Sequence, residues 1–487
     1  MGRRPVRRLT ASVLTRRRFL TGSAALGLGA GLAGCRFRPE FDVCVIGSGF
    51  AGTYLALELV QHGIETALVE AGEGLASTFQ AASTGEIDYP VQASRRIGLG
   101  GTSGLWTGVV TRLFPDDFRL HSEYGLHVDW PLDYPELEPY YCRSESLLSA
   151  IGYPSPNRPP KHCEYPWALD PPPPAPELRH RSGDGTGEEL SFFPLTFSRR
   201  DPDRPNPPPL RLVDREIPEL TADRHATLLT GRRAVALHAM GRQVERLETL
   251  DADGRHDEIT ARIFVVAAGV FESASLLLRS QSSRFPDGLG DGAATLGHHF
   301  NHHPHFHRQL ALPEGRAVRG FYRTHDLDPL LRSEGLNACN FQLTQSGGGQ
   351  LGISPELDPA SSHRVMLSER HDDPLGLPSL EVQAAYTERD RRTIDRCLAI
   401  GNDLAAQLGD TSGPAFHQRF HSHPAGTCRM ARDASSGVVD AHGKVFGVDN
   451  VYVAGASTFP TSGATNPTNT VVALALRLAD HLIESLT

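Results

Sequence analysis

Short apolar runs and amphipathic stretches alternate along the chain in the order expected of an α/β protein. Residues 41–46 form an apolar run that predicts a buried strand, and the helical run after it carries Ala51, Leu55 and Leu59 on one face. A second apolar run follows at residues 66–69. This succession predicts a strand, a helix and a second strand running parallel to the first.

Further strands are predicted beyond this unit. Residues 263–269 form an apolar run that enters a helix, and residues 364–367 and 380–386 have the pattern of strands in a second sheet. Thr387 is predicted to cap a long helix, because Asp390 completes the capping-box spacing. The two groups of strands alternate along the sequence, which predicts two interleaved domains.

Composition places the chain among ordinary globular proteins. Its 487 residues are 39% hydrophobic and 22% charged, and its seven cysteines are too few for a disulfide scaffold. The 48 basic and 57 acidic residues give a net charge of −9. There is no basic excess of the kind that binds nucleic acid, so no nucleic-acid partner is expected.

The first 34 residues differ from the rest, since they hold seven arginines and no acidic residue. Residues 15–20 resemble the twin-arginine export signal, and the Gly/Ala-rich stretch after them is shorter than the roughly 20 residues that span a bilayer. Residues 32–35 resemble a lipobox with Cys35 as the lipidated residue. We predict a signal over 1–34, a tether over 35–40, and a periplasmic or envelope protein that contacts the membrane through a lipid. A disordered basic tail and an uncleaved anchor are the alternatives.

A glycine motif separates the first strand from its helix. Gly47, Ser48, Gly49, Phe50, Ala51 and Gly52 form the pattern G-x-G-x-x-G. Its first glycine permits the tight turn, its second lets the backbone approach a pyrophosphate, and its third lets the helix pack closely on the strand. Glu70 is placed to accept hydrogen bonds from a ribose diol and, with no arginine beside it, disfavours NADP. On this motif alone, NAD and FAD both stay open.

Other blocks follow in a fixed order, at residues 98–108, 263–269, 423–430, 451–455 and 466–470. Together with the glycine motif, these blocks resemble the glucose–methanol–choline (GMC) oxidoreductases, which are FAD-dependent enzymes that oxidise alcohols. The resemblance covers about residues 41–487 and is nearest to the branch of pyranose oxidases and glycoside 3-dehydrogenases.

The resemblance implies FAD as the cofactor. The residues it predicts to contact FAD are the six of the glycine motif, with Glu70, Ala71, Gly100, Gly101, Thr102, Ser103, Trp106, Ala268, Gly269, Gly455, Ala456, Pro467 and Thr468. Some members of the family attach the flavin covalently through a histidine in the loop at 98–108. That position is Leu105 here, so non-covalent FAD is expected.

The resemblance also implies the catalytic pair. His423 aligns with the catalytic histidine of the family, and Asn466 aligns with its second position, which is histidine or asparagine. A neutral imidazole can accept the proton of a hydroxyl, whereas an amide cannot, so Asn466 would orient the hydroxyl. His421 is the alternative base. Asn466 also fits a helix N-cap, because Pro467 after it suits the first helical position.

Six histidines lie between His298 and His307. No Asp, Glu or Cys lies within this run, so we predict no metal. His303-Pro304-His305 matches a short loop of the family with His302 in place of an acid, and we expect a loop that packs against the flavin or the domain junction. No cysteine motif for haem is present, so any cytochrome must be another subunit, and no disulfide pairing is deduced.

The predicted fold class is α/β, with a Rossmann-like FAD-binding domain interleaved with an α+β substrate-binding domain of a sheet plus helices. The FAD-binding domain is assigned to residues 41–125, 211–305 and 415–487. The substrate-binding domain is assigned to residues 126–210 and 306–414.

These features predict an FAD-dependent oxidoreductase that oxidises a CH–OH group of a sugar or glycoside. His423 is the base, hydride passes to flavin N5, and a quinone or cytochrome subunit accepts the electrons. One alternative is an oxidase that uses O2 on a sterol or another apolar alcohol. Others are a non-catalytic flavoprotein subunit of an envelope complex and a His-rich metal-binding lipoprotein.

Overall fold

The computed structural model describes residues 39–152, 158–168, 177–181, 187–198, 209–312, 321–344, 349–410 and 413–487. The predicted signal over 1–34 and Cys35 lie outside these residues. The chain from Pro39 to Thr487 packs as one unit. In the part of the chain that the structure describes, no helix is long and apolar enough to cross a membrane.

The helices are α1 (Phe50–Gln61), α2 (Val91–Ser94), α3 (Leu120–Tyr124), α4 (Tyr134–Leu147), α5 (Glu216–Ala222), α6 (Gly269–Arg279), α7 (Asp328–Ser333), α8 (Glu388–Gln407) and α9 (Thr468–Leu486). The strands are β1 (Phe41–Ile46), β2 (Thr66–Glu70), β3 (Ala81–Gly85), β4 (Ala150–Gly152), β5 (Trp167–Ala168), β6 (Leu178–Arg181), β7 (Gly187–Leu190), β8 (Phe193–Pro194), β9 (Phe197–Ser198), β10 (Ala226–Thr230), β11 (Arg233–Met240), β12 (Gln243–Leu250), β13 (His256–Ile259), β14 (Ala261–Val266), β15 (Asn301–Gln309), β16 (Phe321–Thr324), β17 (Cys339–Thr344), β18 (Gln350–Pro355), β19 (Arg364–Asp372), β20 (Pro378–Ala384), β21 (His417–Ala425) and β22 (Val451–Val453).

A five-stranded parallel sheet in the order β10-β2-β1-β14-β22 forms the nucleotide-type half of the fold. Val43, Cys44 and Val45 of its central strand are fully buried, because helices cover one face of the sheet and the three-stranded sheet β11-β12-β13 packs on the other. On one side, α1 packs against α9 in an apolar cluster that includes Leu55 and Leu476. This arrangement confirms the predicted parallel strands and the α/β class.

A six-stranded antiparallel sheet forms the other half, in the order β21-β15-β18-β17-β16-β8. One face carries apolar side chains such as Phe341 and Ile353, which pack under Ile400 and Leu404 of α8. Side chains alternate between the two faces of a strand, so the other face is left free to line a cavity.

Several local predictions are confirmed. The strands expected near residues 364–367 and 380–386 are β19 and β20, which pair antiparallel. The Thr387 side chain accepts a hydrogen bond from the backbone N–H of Asp390, and Asp390 reaches back to the Thr387 backbone, so the predicted capping box is present at the start of α8.

Two local expectations are wrong. The histidine run was expected to form a loop, but from Asn301 onward it is strand β15, because it pairs with β18 and β21 on its two sides. The N-cap interpretation of Asn466 also fails, since Pro467 occupies the N-cap position and α9 begins at Thr468. The side chain of Asn466 is therefore free for other partners.

The structure supplies a disulfide that the sequence did not. Cys142 of α4 is bonded to Cys163, 21 residues later. Among the described residues the other cysteines are free and buried, as expected for Cys44 within its strand.

Candidate active site

The glycine motif forms a tight turn between β1 and α1. Gly47 has a φ of 108°, and a Cβ there would lie 2.5 Å from the carbonyl oxygen of Ala267. A Cβ at Gly52 would lie 1.9 Å from the carbonyl oxygen of Gly47. Both positions therefore require glycine. A Cβ at Gly49 would meet nothing within 4 Å, so this edge of the turn faces open space where a pyrophosphate can approach the backbone.

Glu70 ends β2 beside this turn, and its carboxylate is held in place by three donors. The backbone N–H of Ser48 donates at 3.1 Å and its hydroxyl at 2.6 Å to Oε2, and the backbone N–H of Gly72 donates at 3.0 Å to Oε1. A carboxylate offers about four acceptor sites, so it can still accept from a ribose hydroxyl. The geometry fits the nucleotide role predicted for Glu70.

The second glycine-rich loop packs directly on the first. The backbone N–H of Gly100 donates to the hydroxyl of Ser48 at 3.0 Å, and a Cβ at Gly101 would lie 3.2 Å from the Cα of Gly49. Trp106 contacts the ring of Phe50 edge-on, with 4.7 Å between ring centroids. The two loops therefore form one continuous wall.

A cavity of about 940 Å³ runs from these loops to the antiparallel sheet. It is large enough for a cofactor and a substrate by the usual range of ligand sites. The predicted cofactor residues that line it are Gly47, Ser48, Gly49, Phe50, Ala51, Glu70, Ala71, Gly101, Thr102, Trp106, Ala268, Gly269, Gly455, Ala456, Pro467 and Thr468. Gly52, Gly100 and Ser103 are not among its lining residues, and they shape the loops behind it. The open cradle at Gly49 and the acceptor at Glu70 fit an FAD.

His423 and Asn466 meet at the far end of the cavity. Asn466 Nδ2 lies 2.9 Å from His423 Nε2. Asn466 Oδ1 accepts from Nη2 of Arg323 at 2.7 Å, which fixes the amide so that its NH2 group faces the histidine. The structure thus brings together the two residues predicted as the catalytic pair and adds an arginine that the sequence did not suggest.

His303 sets the orientation of His423. Nε2 of His303 lies 2.7 Å from the carbonyl oxygen of Gly463, which can only accept, so this nitrogen carries the proton. Nδ1 of His303 then accepts from Nδ1–H of His423 at 2.9 Å. This leaves the lone pair of His423 on Nε2, which faces Asn466 and the cavity.

Both imidazoles are kept neutral by their surroundings. Burial, with His303, His305 and Arg323 close by, holds the pKa of His423 well below the ordinary histidine value. Burial lowers the pKa of His303 to about 4, although its hydrogen bond to Gly463 opposes the shift. A neutral His423 whose Nε2 lone pair faces Asn466 and the cavity can accept a proton at neutral pH.

The cavity face of the antiparallel sheet is mostly polar, with Phe420 of β21 as an aromatic member that stacks on His305. We call its polar side chains on β15 to β18 the sheet floor: His303, His305, His307, Arg323, Asn340, Gln342 and Ser354. His305 links two of the strands, since its Nδ1 lies 2.7 Å from the hydroxyl of Ser354 and its Nε2 lies 2.7 Å from that of Ser422. The period-2 spacing of the three histidines was the signal in the sequence, and it was missed because the run was interpreted as a loop.

His302 and His421 make hydrogen bonds away from the His423–Asn466 pair. His302 is buried on the opposite face of β15, with its Nδ1 3.3 Å from Nδ1 of His421 and its ring against Tyr89. His421, the alternative base, lines the cavity, but its hydrogen-bond partners are His302 and Gln418 and not Asn466. The geometry favours His423 over His421 as the partner of Asn466.

A dinucleotide turn and a histidine–amide pair on one cavity define a cofactor-dependent oxidoreductase. Comparisons with known proteins then give the family. The family described as GMC oxidoreductase matches residues 359–475, and the FAD binding domain matches residues 42–100. The chain belongs to the GMC oxidoreductases, FAD-dependent enzymes that act on CH–OH donors.

Relatives match over nearly the whole chain. 6'''-hydroxyparomomycin C oxidase of Streptomyces lividus is 29% identical, with 91% of this chain and 92% of the relative covered. Fructose dehydrogenase large subunit of Gluconobacter japonicus is 24% identical, with 91% and 98% covered. C-glycoside 3-oxidase of Microbacterium trichothecenolyticum is 34% identical over 28% of this chain and 27% of its own. Pyridoxine 4-oxidase from Mesorbium loti has the same fold, with a TM-score of 0.59, 21% identity, and 91% of this chain and 99% of that chain covered.

Proposed function

We propose that this enzyme oxidises a hydroxyl group of a sugar or glycoside, with His423 as the base. The observation that carries the proposal is the contact of 2.9 Å between Nε2 of His423 and Nδ2 of Asn466 on the cofactor cavity. A substrate hydroxyl that approaches both atoms from the cavity can donate its proton towards Nε2 and accept from the amide NH2.

The chain's own residues supply binding, orientation and proton transfer. His303 holds the acceptor lone pair of His423 on Nε2, and Arg323 holds the amide of Asn466 with its donor towards the hydroxyl. FAD, when bound along the loops at 47–52 and 98–108, supplies N5 as the hydride acceptor. Pro467 and Thr468 lie at the N-terminus of α9 and line the same cavity.

The sheet floor supports a polyhydroxylated substrate. Its amide, imidazole, hydroxyl and guanidinium groups can exchange several hydrogen bonds with a sugar ring. A sterol would leave the floor atoms that have no protein partner in the described chain, Nε of Arg323 and Oδ1 of Asn340, unpaired at a cost of about 1–3 kcal/mol each. Several relatives are named for sugars or glycosides. The second candidate substrate is a sterol or another apolar alcohol, and its support is the resemblance to the family alone.

Anaerobic bleaching of the bound flavin tests the proposal. We expect a sugar or glycoside from a panel with polyols and sterols to bleach the wild-type enzyme. His423→Ala should lower the rate by about 10²–10⁴-fold while FAD stays bound, because the base is lost. His421→Ala is the matched control and should reduce normally. Bleaching by sterols alone would contradict the sugar assignment, and no bleaching by any alcohol would favour a non-catalytic flavoprotein.

We propose a quinone or cytochrome subunit as the electron acceptor, and therefore a dehydrogenase. The support is the relative named as a dehydrogenase large subunit and the predicted lipid at Cys35, which would hold the enzyme at the membrane. Reoxidation of the reduced enzyme should be faster with a soluble quinone than with air-saturated buffer. Faster reoxidation by O2 would instead make it an oxidase.

We propose that FAD is bound without a covalent link. Leu105 lines the cavity at the position where some family members carry the linking histidine, and an aliphatic side chain offers no nucleophile. Acid precipitation should therefore release all of the yellow colour into the supernatant.

We propose export by the twin-arginine route to the periplasm or envelope, with a lipid on Cys35. The arginine motif before a short apolar stretch and the lipobox-like residues support this location. The disulfide between Cys142 and Cys163 supports it as well, since such bonds persist in oxidising compartments.

A further inference from the structure

Arg323 is a buried cation beside the reacting groups. Its side chain lies on β16, is 2% exposed, and lines the cavity. Nη1 donates to the hydroxyl of Thr465 at 3.1 Å and Nη2 to Oδ1 of Asn466 at 2.7 Å. Nε has no partner among the described residues. Because Nε is itself buried, the donors that can serve a ligand are the second N–H of Nη1 and the second N–H of Nη2.

No carboxylate of the described chain forms an ion pair with Arg323. The acid that acts on it electrostatically is Asp328, whose two oxygens are engaged by the imidazole of His325 and the backbone N–H of Cys339. Another cation, Arg158, also acts on it. A buried charge without a counter-ion is costly, so a site of this kind is completed when an anion enters.

Among the described residues of the sheet floor, no acidic side chain lies beside Arg323 to compete with such an anion. Arg323 pairs across the sheet with Gln342, which in turn lies opposite Gly352 and then His307, so the row is polar but uncharged apart from the guanidinium. The acids that line the rest of the cavity are Glu70 at the nucleotide end, Glu272 in an ion pair with Arg95, and the exposed Asp88. None belongs to the sheet floor.

We propose that Arg323 binds a carboxylate on the substrate, so that the enzyme prefers an acidic sugar or glycoside over neutral and amino sugars. This inference rests on the proposed function. Asn466 contacts Arg323 through one atom of its amide and His423 through the other. A single sugar ring can therefore place its hydroxyl at His423 and its carboxylate at Arg323. An amino group would bring a second cation to the same place and be rejected.

A binding titration that needs no turnover tests the anion site. Acetate, which has no CH–OH group, is titrated into the FAD-loaded enzyme and its binding followed by the change in flavin absorbance. Arg323→Gln should weaken acetate binding about 10- to 100-fold, as expected for loss of a charged hydrogen bond, and Arg323→Lys should recover part of it. Arg419→Gln is the control, since Arg419 lines the same cavity but is exposed.

Turnover then tests the preference. Methyl glucuronide, methyl glucoside and methyl glucosaminide differ mainly in charge, and the wild-type enzyme should be bleached fastest by the first and slowest by the last. Arg323→Gln should abolish the advantage of the glucuronide. Equal acetate binding by wild type and Arg323→Gln, or an equal loss in Arg419→Gln, would overturn the anion site. If no sugar bleaches the flavin while acetate still binds through Arg323, the proposed function is wrong and the anion site stands.

Discussion

At the scale of single residues, the base depends on a neighbouring histidine that orients it. Nδ1 of His303 accepts a hydrogen bond from Nδ1–H of His423, and Nε2–H of His303 donates to the carbonyl oxygen of Gly463. His303→Ala removes that acceptor, so His423 can rotate or change tautomer. We expect the rate of flavin reduction to fall about 10- to 100-fold, less than the loss on removing the base itself, with little change in substrate affinity.

The conservative variant separates orientation from packing. In His303→Gln the amide oxygen can still accept from His423, so most of the reduction rate should return, whereas a purely structural role would not distinguish the two variants. Stopped-flow reduction under anaerobic conditions gives both the limiting rate and the affinity. A wild-type rate in His303→Ala would show that His423 needs no orienting partner.

The pH dependence follows from the same side chains. His423 accepts a proton only when it is neutral, so activity is full above its pKa and falls as pH drops through it. Because burial, with His303, His305 and the Arg323 cation close by, holds that pKa well below the ordinary value of about 6.5, flavin reduction should stay on its plateau through pH 6.5. An acid limb with its midpoint at or above 6.5 would contradict this. Arg323→Gln removes that cation, so the pKa of His423 should rise and the acid limb should move to higher pH.

The sequence predicted the roles of those site residues that lie in recognisable motifs, but not of those that only the fold brings together. His423 and Asn466 were found because each lies in a block that resembles the family. His303 and Arg323 were not, because their roles arise from contacts across 120 and 143 residues of sequence. Only the pairing of β15 with β21, and the approach of β16 to the loop before α9, places these side chains together.

At the scale of elements, two glycines of the turn between β1 and α1 have different roles: we expect Gly47 to serve folding and Gly49 to serve cofactor binding. Gly47→Ala would place a methyl group 2.5 Å from a backbone oxygen at a φ of 108°, so the apoprotein should be destabilised. Gly49 has a φ of −71°, and a methyl group there meets no atom within 4 Å. Gly49→Ala should keep the melting temperature of the apoprotein but lose FAD affinity, because the methyl group occupies the pyrophosphate path.

Thermal unfolding of apoprotein and a titration with FAD measure both effects. A Gly49→Ala protein that binds FAD as tightly as wild type would place the pyrophosphate elsewhere. One that melts well below wild type without FAD would show that the residue serves folding and not binding. Gly47→Ala serves as the comparison, since it should lose both properties together.

The elements were predictable where a local pattern sufficed. Apolar runs gave β1, β2 and β14, and the capping box gave the start of α8. The histidine run failed, since a strand of alternating histidines has a polar face on an internal cavity, and its hydropathy is that of a loop. Hydrophobic periodicity detects a half-buried strand by its alternating apolar residues, and the face of β15 away from the cavity carries His302 as well as Phe306, so that alternation is lost.

At the scale of the whole molecule, the cavity belongs to neither sheet alone. The parallel sheet presents the turn at Gly49 and the carboxylate of Glu70, and the antiparallel sheet presents the polar floor with His303. Composition and motifs predicted both sheets but not how they face each other. The distance from Glu70 to His423 along the chain carries no information about their sharing one cavity, which only the packed molecule provides.

The basic leader and the disulfide are two independent features that both predict export. Cys142 and Cys163 close a loop worth about 3 kcal/mol of stability by the chain-entropy estimate, and bonds of this kind persist in oxidising compartments. In a bacterium with a twin-arginine pathway, the full chain should reach the envelope with both cysteines oxidised. Replacing Arg16 and Arg17 by lysine should leave the protein in the cytoplasm, with FAD bound and both thiols free, as alkylation and mass spectrometry would show. If this variant still reached the envelope, the twin-arginine route would be contradicted. If Cys142 and Cys163 were oxidised in its cytoplasmic fraction, the disulfide would no longer support export.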